Sequence, residues 1–211
     1  MKNIENIRTN YNLSKLEESN LKYSPINQFK IWFSEIVDQV LEPNAMVLST
    51  CSQHNIVSSR VVLLKEIQRD GFIFYTNYNS VKGKHIKSNS NVSLSFFWPS
   101  FQRQVRVNGI AVKTSHQKSV NYFKKRPRKS QIAAWASFQS EEVENRTLLE
   151  SLFSDFEKKF NKKIIPKPPD WGGYKVIPQS VEFWQGRQNR MHDRFLYVKK
   201  NSKWLISRLA P

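Results

Sequence analysis

Apolar residues recur at three- and four-residue intervals through Ile26, Phe29, Trp32, Phe33, Ile36, Val37, Val40 and Leu41. This is the stripe of an amphipathic helix that packs on a core, spanning Ile26 to Leu41. Residues 1–25 are polar and aperiodic, and read as an arm that packs on the body or closes over a site. Beyond the helix the pattern shifts to short β-rich runs, Ala45 to Ser52, Ile56 to Lys65 and Gly71 to Asn77. Turn-forming Gln53-His54-Asn55 and Arg69-Asp70-Gly71 separate them, which predicts an antiparallel meander. A short helix is expected from Ser80, its N-cap, to Ser88, then strands over Val92 to Trp98 and Gln102 to Thr114. His116 to Phe160 turns helical, and Pro127 breaks it because proline lacks an amide hydrogen and clashes with the preceding turn. Leu148, Leu149, Leu152, Phe153, Phe156 and Phe160 mark the inner face of the last helix. After the proline-rich loop Ile165 to Pro169, three β-rich runs close the chain: Gly173 to Gln185, Arg194 to Lys199 and Lys203 to Leu209. Lys200-Asn201-Ser202 turns between the last two. This order predicts a mainly β fold, one antiparallel barrel with helices packed around it over residues 26–211. The strand-helix alternation of a doubly wound sheet and the Gly-rich dinucleotide fingerprint are both missing.

Composition narrows the classes. The 211 residues are 39% hydrophobic and 13% aromatic, too apolar for a disordered chain. No apolar run approaches the roughly 18 residues of a membrane span, and the polar start lacks a signal core, so a cytoplasmic protein is expected. Cys51 stands alone and reads as a small buried hydrophobe. The 34 basic against 17 acidic residues give +17, which opens a nucleic-acid-binding alternative. Many of the lysines sit where they keep exposed faces soluble. The densest cluster, Lys124 to Lys129, could grip a polymer backbone or a single phosphate.

Three constellations carry candidate chemistry. In RVVLLK, Arg60 and Lys65 have opposite parity, so a regular strand would send them to opposite faces, one toward a cofactor and one toward a substrate unless a bulge intervenes. YFKKRPRKS, Tyr122 to Ser130, joins a phenol, several cations and a hydroxyl beside a helix-breaking proline, which suits phosphate. In extended geometry Arg190, His192 and Arg194 share one face, giving titratable and cationic groups along a ligand-sized length. No second His or carboxylate stands at zinc-site spacing, and no nucleophile elbow, P-loop or paired-Cys motif competes.

RVVLLK, FYTN (Phe74 to Asn77), RQV (Arg103 to Val105), YFKKRPRKSQIAAW, WGGY (Trp171 to Tyr174), FWQGRQNRMHDRFLY (Phe183 to Tyr197) and the terminal RLAP together resemble the pyridoxine/pyridoxamine 5′-phosphate oxidase family. The resemblance implies an FMN-binding split β-barrel, Greek-key-like, working as a homodimer with its sites at the subunit interface. It implies oxidation of pyridoxine or pyridoxamine 5′-phosphate by O2. It assigns FMN to Arg60, Val61, Val62, Leu63, Leu64, Lys65, Tyr75, Thr76, Lys82, Gln104, Gln139, Ser140, Trp184 and Arg194, with Arg60 and Lys82 at the phosphate. It assigns the vitamer phosphate to Lys65, Tyr122, Arg126 and Ser130, the pyridine ring and catalysis to Arg190 and His192, and the covering arm to Arg8 and Tyr11. Val81 departs from the pattern, standing where many relatives carry another cation. A split-barrel flavin oxidase of another aromatic substrate, such as a phenazine precursor, is the enzymatic alternative.

Overall fold

The computed structural model describes residues 3–211; Met1 and Lys2, part of the expected arm, lie outside the described residues. Among the described residues nine strands form one antiparallel sheet that closes around an aromatic core. They are β1 (Ala45–Cys51), β2 (Val57–Leu63), β3 (Glu66–Gln68), β4 (Gly71–Asn77), β5 (Asn91–Trp98), β6 (Arg103–Lys113), β7 (Trp171–Gln185), β8 (Asp193–Lys200) and β9 (Lys203–Leu209). The order runs β2-β1-β5-β6-β7-β4-β3, with β8 also on β7 and β9 on β8. The expected meander therefore stops after the β1–β2 hairpin. β4 crosses to pair with β7, so that both faces of Gly71–Asn77 can be covered; most of this strand is buried.

Helix α1 (Pro25–Ile36) plugs the barrel. Phe29 is fully buried and meets Phe72 and Phe96 at centroid distances of 4.9 and 4.8 Å, nearly edge-on, the arrangement that the ring quadrupole favours. The helix ends five residues short of the expected Leu41, which is 94% exposed. A turn follows, with Glu42 at φ 48° ahead of Pro43, and the apolar stripe overran it. Helix α2 (Val81–Ser88) begins as expected at Ser80, whose hydroxyl accepts from the Gly83 amide.

Pro127 separates α3 (His116–Lys125) from α4 (Arg128–Ala136), and a loop holding Gln139 and Ser140 precedes α5 (Arg146–Lys159). These helices share a second core of Phe123, Ile132, Phe160, Ile165 and Trp171, with Phe153 and Phe156 partly buried against it. Leu148 does not join the expected inner face and is 41% exposed. Among the described residues no helix is long and apolar enough to cross a membrane.

The N-terminal segment packs on the barrel. Leu16 is buried in the main core and its amide donates to Asp193 Oδ2 at 3.1 Å. Gln102 accepts from the Leu13 amide and donates to the Asn10 carbonyl.

Candidate functional site

A cavity of about 750 Å³ lies where β2 and β4 meet α2 to α4. Arg60, Val61, Val62 and Leu63 line it from β2, and Lys65 from the bend that follows. Arg60 and Lys65 thus share one cavity. The strand stops at Leu63 and the chain bends before β3, so strand parity does not carry across, contrary to the sequence expectation. Leu64 is a second correction: it is 4% exposed within the main core, does not line the cavity, and exchanges hydrogen bonds with Asn44.

Arg60 is held rigidly, donating to the Leu48 carbonyl, Thr50 Oγ1 (2.8 Å) and Ser58 Oγ (2.6 Å). Lys82 enters from the first turn of α2 and donates to Ser80 Oγ at 3.2 Å. Burial, and then the charge of Arg60, push its pKa down to about 8. β4 contributes Tyr75 and Thr76, and the Thr76 hydroxyl and Asn77 amide both donate to Gln139 Oε1. Ser140, at φ 74°, turns the loop so that it follows Gln139 into the lining.

On the other wall stand Tyr122, Arg126 and Ser130. Arg126 Nη1 is buried with no hydrogen-bond partner among the described residues. None of the ion pairs among the described residues involves Arg60, Lys65, Lys82 or Arg126. A buried donor without an acceptor, in a wall of cations without carboxylates, is the electrostatic complement of phosphate. The sequence reading did not name Trp171 as a site residue, although it lines the same cavity. The signal was its place at the head of WGGY. Gly173 in that motif pairs with Tyr75, and a Cβ on it would stand 2.8 Å from the Tyr75 ring.

The remaining expected site residues form a second group that does not line this cavity. Gln104, Trp184 and Arg194 are cross-strand neighbours in one row over β6, β7 and β8. Arg194 donates to Glu182 and to the Ala210 carbonyl. The His192 ring lies 4.6 Å from Trp184, and Tyr11 of the N-terminal segment packs edge-on to Trp184 at 5.7 Å. Arg8 is exposed on the same segment. Arg190, His192 and Arg194 do not lie along one strand as expected. β7 ends at Gln185, a 3₁₀ turn takes Gln188–Arg190 with Asn189 and Arg190 at φ 56° and 60°, and β8 starts only at Asp193.

His192 Nδ1 accepts from the Arg187 amide at 3.1 Å, which leaves the proton of the neutral ring on Nε2. Burial, then the charges of Arg190 and Arg194, hold its pKa below 6.5. His192 is therefore a neutral donor through Nε2 near pH 7. Tyr11 fits beside Gly186, where a Cβ would stand 2.8 Å from Tyr11 Cγ and 3.0 Å from Gln102 Cβ. Gly186→Ala should push the segment off the barrel, seen as faster tryptic cleavage after Lys15 with little change in melting temperature. Unchanged cleavage would show that the notch does not hold Tyr11.

Residues 33–160 match the family model described as pyridoxamine 5′-phosphate oxidase, and residues 171–211 match the pyridoxine 5′-phosphate oxidase C-terminal dimerisation region. The chain belongs to the pyridoxamine 5′-phosphate oxidase family. It is 47% identical over 212 residues to a pyridoxine/pyridoxamine 5′-phosphate oxidase of Leptospira biflexa serovar Patoc, covering 100% of both chains. The oxidase of the same name from Teredinibacter turnerae is 49% identical over 210 residues, 99% of this chain and 100% of that one. Among solved structures, PhzG from Burkholderia lata 383, in complex with tetrahydrophenazine-1-carboxylic acid, superposes with a TM-score of 0.90 at 26% identity, covering 96% of this chain and 100% of that one. The oxidase family and the split-barrel fold expected from the sequence are thus both found.

Proposed function

We propose that this oxidase converts pyridoxine 5′-phosphate or pyridoxamine 5′-phosphate to pyridoxal 5′-phosphate with O2, releasing hydrogen peroxide, and ammonia from the amine. The observation that carries this reading is the partnerless, buried Nη1 of Arg126 in a cation-lined cavity, within a chain of this family. At about 750 Å³ the cavity is in the size range of cofactor and substrate sites, and its cations suit phosphate groups. Arg60 and Lys82 would hold the FMN phosphate, and Val61, Val62, Leu63, Tyr75, Thr76, Gln139 and Ser140 would contact the rest of that cofactor. Lys65, Tyr122, Arg126 and Ser130 would hold the substrate phosphate.

When bound, FMN supplies the two-electron acceptor for the C4′ carbon of the vitamer and passes the electrons on to O2. The chain's own residues bind and orient. Arg126 and Tyr122 anchor the phosphate end, which fixes the reach of the ring. His192, neutral and donating through Nε2, and Arg190 would hold the pyridine ring and stabilise its changing charge. His192 acts as a donor in this scheme, because its Nδ1 lone pair is already committed to the Arg187 amide.

The second group completes the cavity through a homodimer. Val61, Val47 and Phe97 are 65%, 39% and 55% exposed on the outer sheet face, Val61 pairs with Val47, and Phe97 pairs with Gln104. This apolar strip joins the cavity wall to the Gln104-Trp184-Arg194 row, so that a partner laid across it brings that row to the cavity. Residues 1–25 would act as the arm that covers the site through Arg8 and Tyr11, over a single domain of residues 26–211, in the cytoplasm.

Anaerobic mixing of the FMN-loaded protein with each phosphorylated vitamer tests the proposal. Bleaching of the flavin absorbance is expected with either, and none with a phosphate-free phenazine precursor. Bleaching by the phenazine precursor alone would favour the PhzG-like reading instead.

A further inference from the structure

Three aromatic rings that line the cavity lie nearly parallel. Tyr75 and Tyr122 stack at 3.9 Å and 12°, Tyr75 and Trp171 at 5.4 Å and 10°, and Tyr122 and Trp171 at 6.2 Å and 3°. The Arg126 guanidinium carbon sits 4.8 Å from the Trp171 ring centroid. Trp171 is therefore in register with both phosphate-wall side chains, Tyr122 through ring alignment and Arg126 through a cation–π contact.

The indole itself is firmly set. It is 6% exposed, meets Phe123 at 5.1 Å nearly edge-on, and opens β7 as the partner of Asn77. Lys167 donates to the carbonyls of Pro168, Pro169 and Trp171, and the Trp135 indole N–H donates to the Pro166 carbonyl, which fastens the proline-rich approach. Arg126 also has a constrained backbone. Pro127 forces the residue before it toward extended geometry, observed as φ −71° and ψ 148°, and Gln131 donates to its carbonyl. Nη1 has no hydrogen-bonded partner among the described residues, and the guanidinium carbon meets two rings, Trp171 at 4.8 Å and Phe123 at 5.7 Å, of which Trp171 is the nearer.

We infer that Trp171 is a positioning residue for substrate phosphate, a flat shelf that aims Arg126 and aligns Tyr122 before the ligand arrives. The inference rests on the phosphate role proposed above for Arg126. A preorganised donor saves the ordering that a free arginine would need on binding.

A kinetic cycle on FMN-saturated enzyme with pyridoxine 5′-phosphate tests it. Trp171→Leu should raise KM about tenfold while kcat stays within about twofold, as expected for loss of a desolvated cation–π contact. The inhibition constant of inorganic phosphate should rise by the same factor. In an Arg126→Ala background the same Trp171→Leu change should add less than about twofold, since coupled residues are not additive. Equal rises in both backgrounds would reduce Trp171 to general packing, and an unchanged KM on the wild-type background would also overturn the inference. If Trp171→Leu does not fold, Trp171→Phe carries the same cycle, with a rise of about threefold expected with Arg126 present and none without it. An Arg126→Ala enzyme with unaltered KM would refute the phosphate reading and this inference together. An Arg126 effect without a Trp171 effect would sink the shelf alone.

Discussion

Arg126→Ala is expected to raise KM for pyridoxine 5′-phosphate by about 10- to 150-fold, the loss of one charge-assisted hydrogen bond of about 1.5 to 3 kcal/mol. The basis is the buried Nη1, which finds no acceptor among the described residues. Burial also lowers the pKa of this guanidinium, the direction expected of a cation waiting for an anion. A group that is desolvated and unpaired in the free protein adds little to its stability, so the melting temperature of the ligand-free variant should not fall. Arg126→Lys should recover only part of the loss, because an ammonium can neither lie flat on Trp171 nor donate in two parallel directions. Steady-state kinetics and thermal melts on the two variants check this. A lower melting temperature with an unchanged KM would make Arg126 a scaffold residue.

The second large effect concerns the other end of the cavity. Lys82→Met should weaken FMN binding about 100-fold, because Lys82 and Arg60 are the cations proposed for the cofactor phosphate and neither has a carboxylate partner among the described residues. The pH profile gives a sharper signature. In the ligand-free protein the Lys82 pKa is pushed from 10.5 to about 8. A bound phosphate favours the charged form, so binding above pH 8 must take up a proton, and affinity should fall as pH rises through that value. Stability of the ligand-free protein moves the other way. Between pH 8 and 10.5 the unfolded chain holds the proton that the folded chain has lost, so stability should rise with pH across that window. Fluorescence titration of FMN from pH 7 to 9.5 reads the affinity slope, which should vanish in Lys82→Met. A flat wild-type profile would remove Lys82 from the phosphate site.

Much of this architecture is legible in the sequence because its signals are local. β4 begins and ends where its β-rich run and the Arg69-Asp70-Gly71 turn put it, and α2 starts at the Ser80 cap. Pro127 divides the helices as its missing amide requires. Local signals fail where tertiary packing decides. The apolar stripe through Leu41 continues past the end of α1, because the turn before Pro43 leads the chain into β1. Strand parity misjudged Arg60 against Lys65, and Arg190 against His192 and Arg194, since both inferences assumed one unbroken strand. The structure has a bend at Leu64–Lys65 and two left-handed residues at Asn189 and Arg190.

The candidate site divides in the same way. Residue types supplied the phosphate chemistry of Tyr122, Arg126 and Ser130, and the resemblance supplied the flavin positions. Neither could show that Gln104, Trp184 and Arg194 form a cross-strand row away from the cavity, because that follows from the pairing of β6, β7 and β8. Trp171 escaped notice for a related reason. Its ring acquires meaning only when β4 and β7 pair and bring Tyr75 alongside.

The carboxylate of Asp193 accepts from the Leu16 amide, Arg187 and Arg208, tying the N-terminal segment, the β7–β8 loop and the last strand to one side chain. Leu16 and Asp193 are 177 residues apart. As the ribosome feeds out the chain, the segment around Leu16 is made long before the hairpin that receives it. Such a distant loop closes late, since its entropy must be overcome before its contacts form. Until β8 has emerged, the Leu16 amide has no Asp193 carboxylate to meet, so the N-terminal segment is among the last parts of the chain to be fastened.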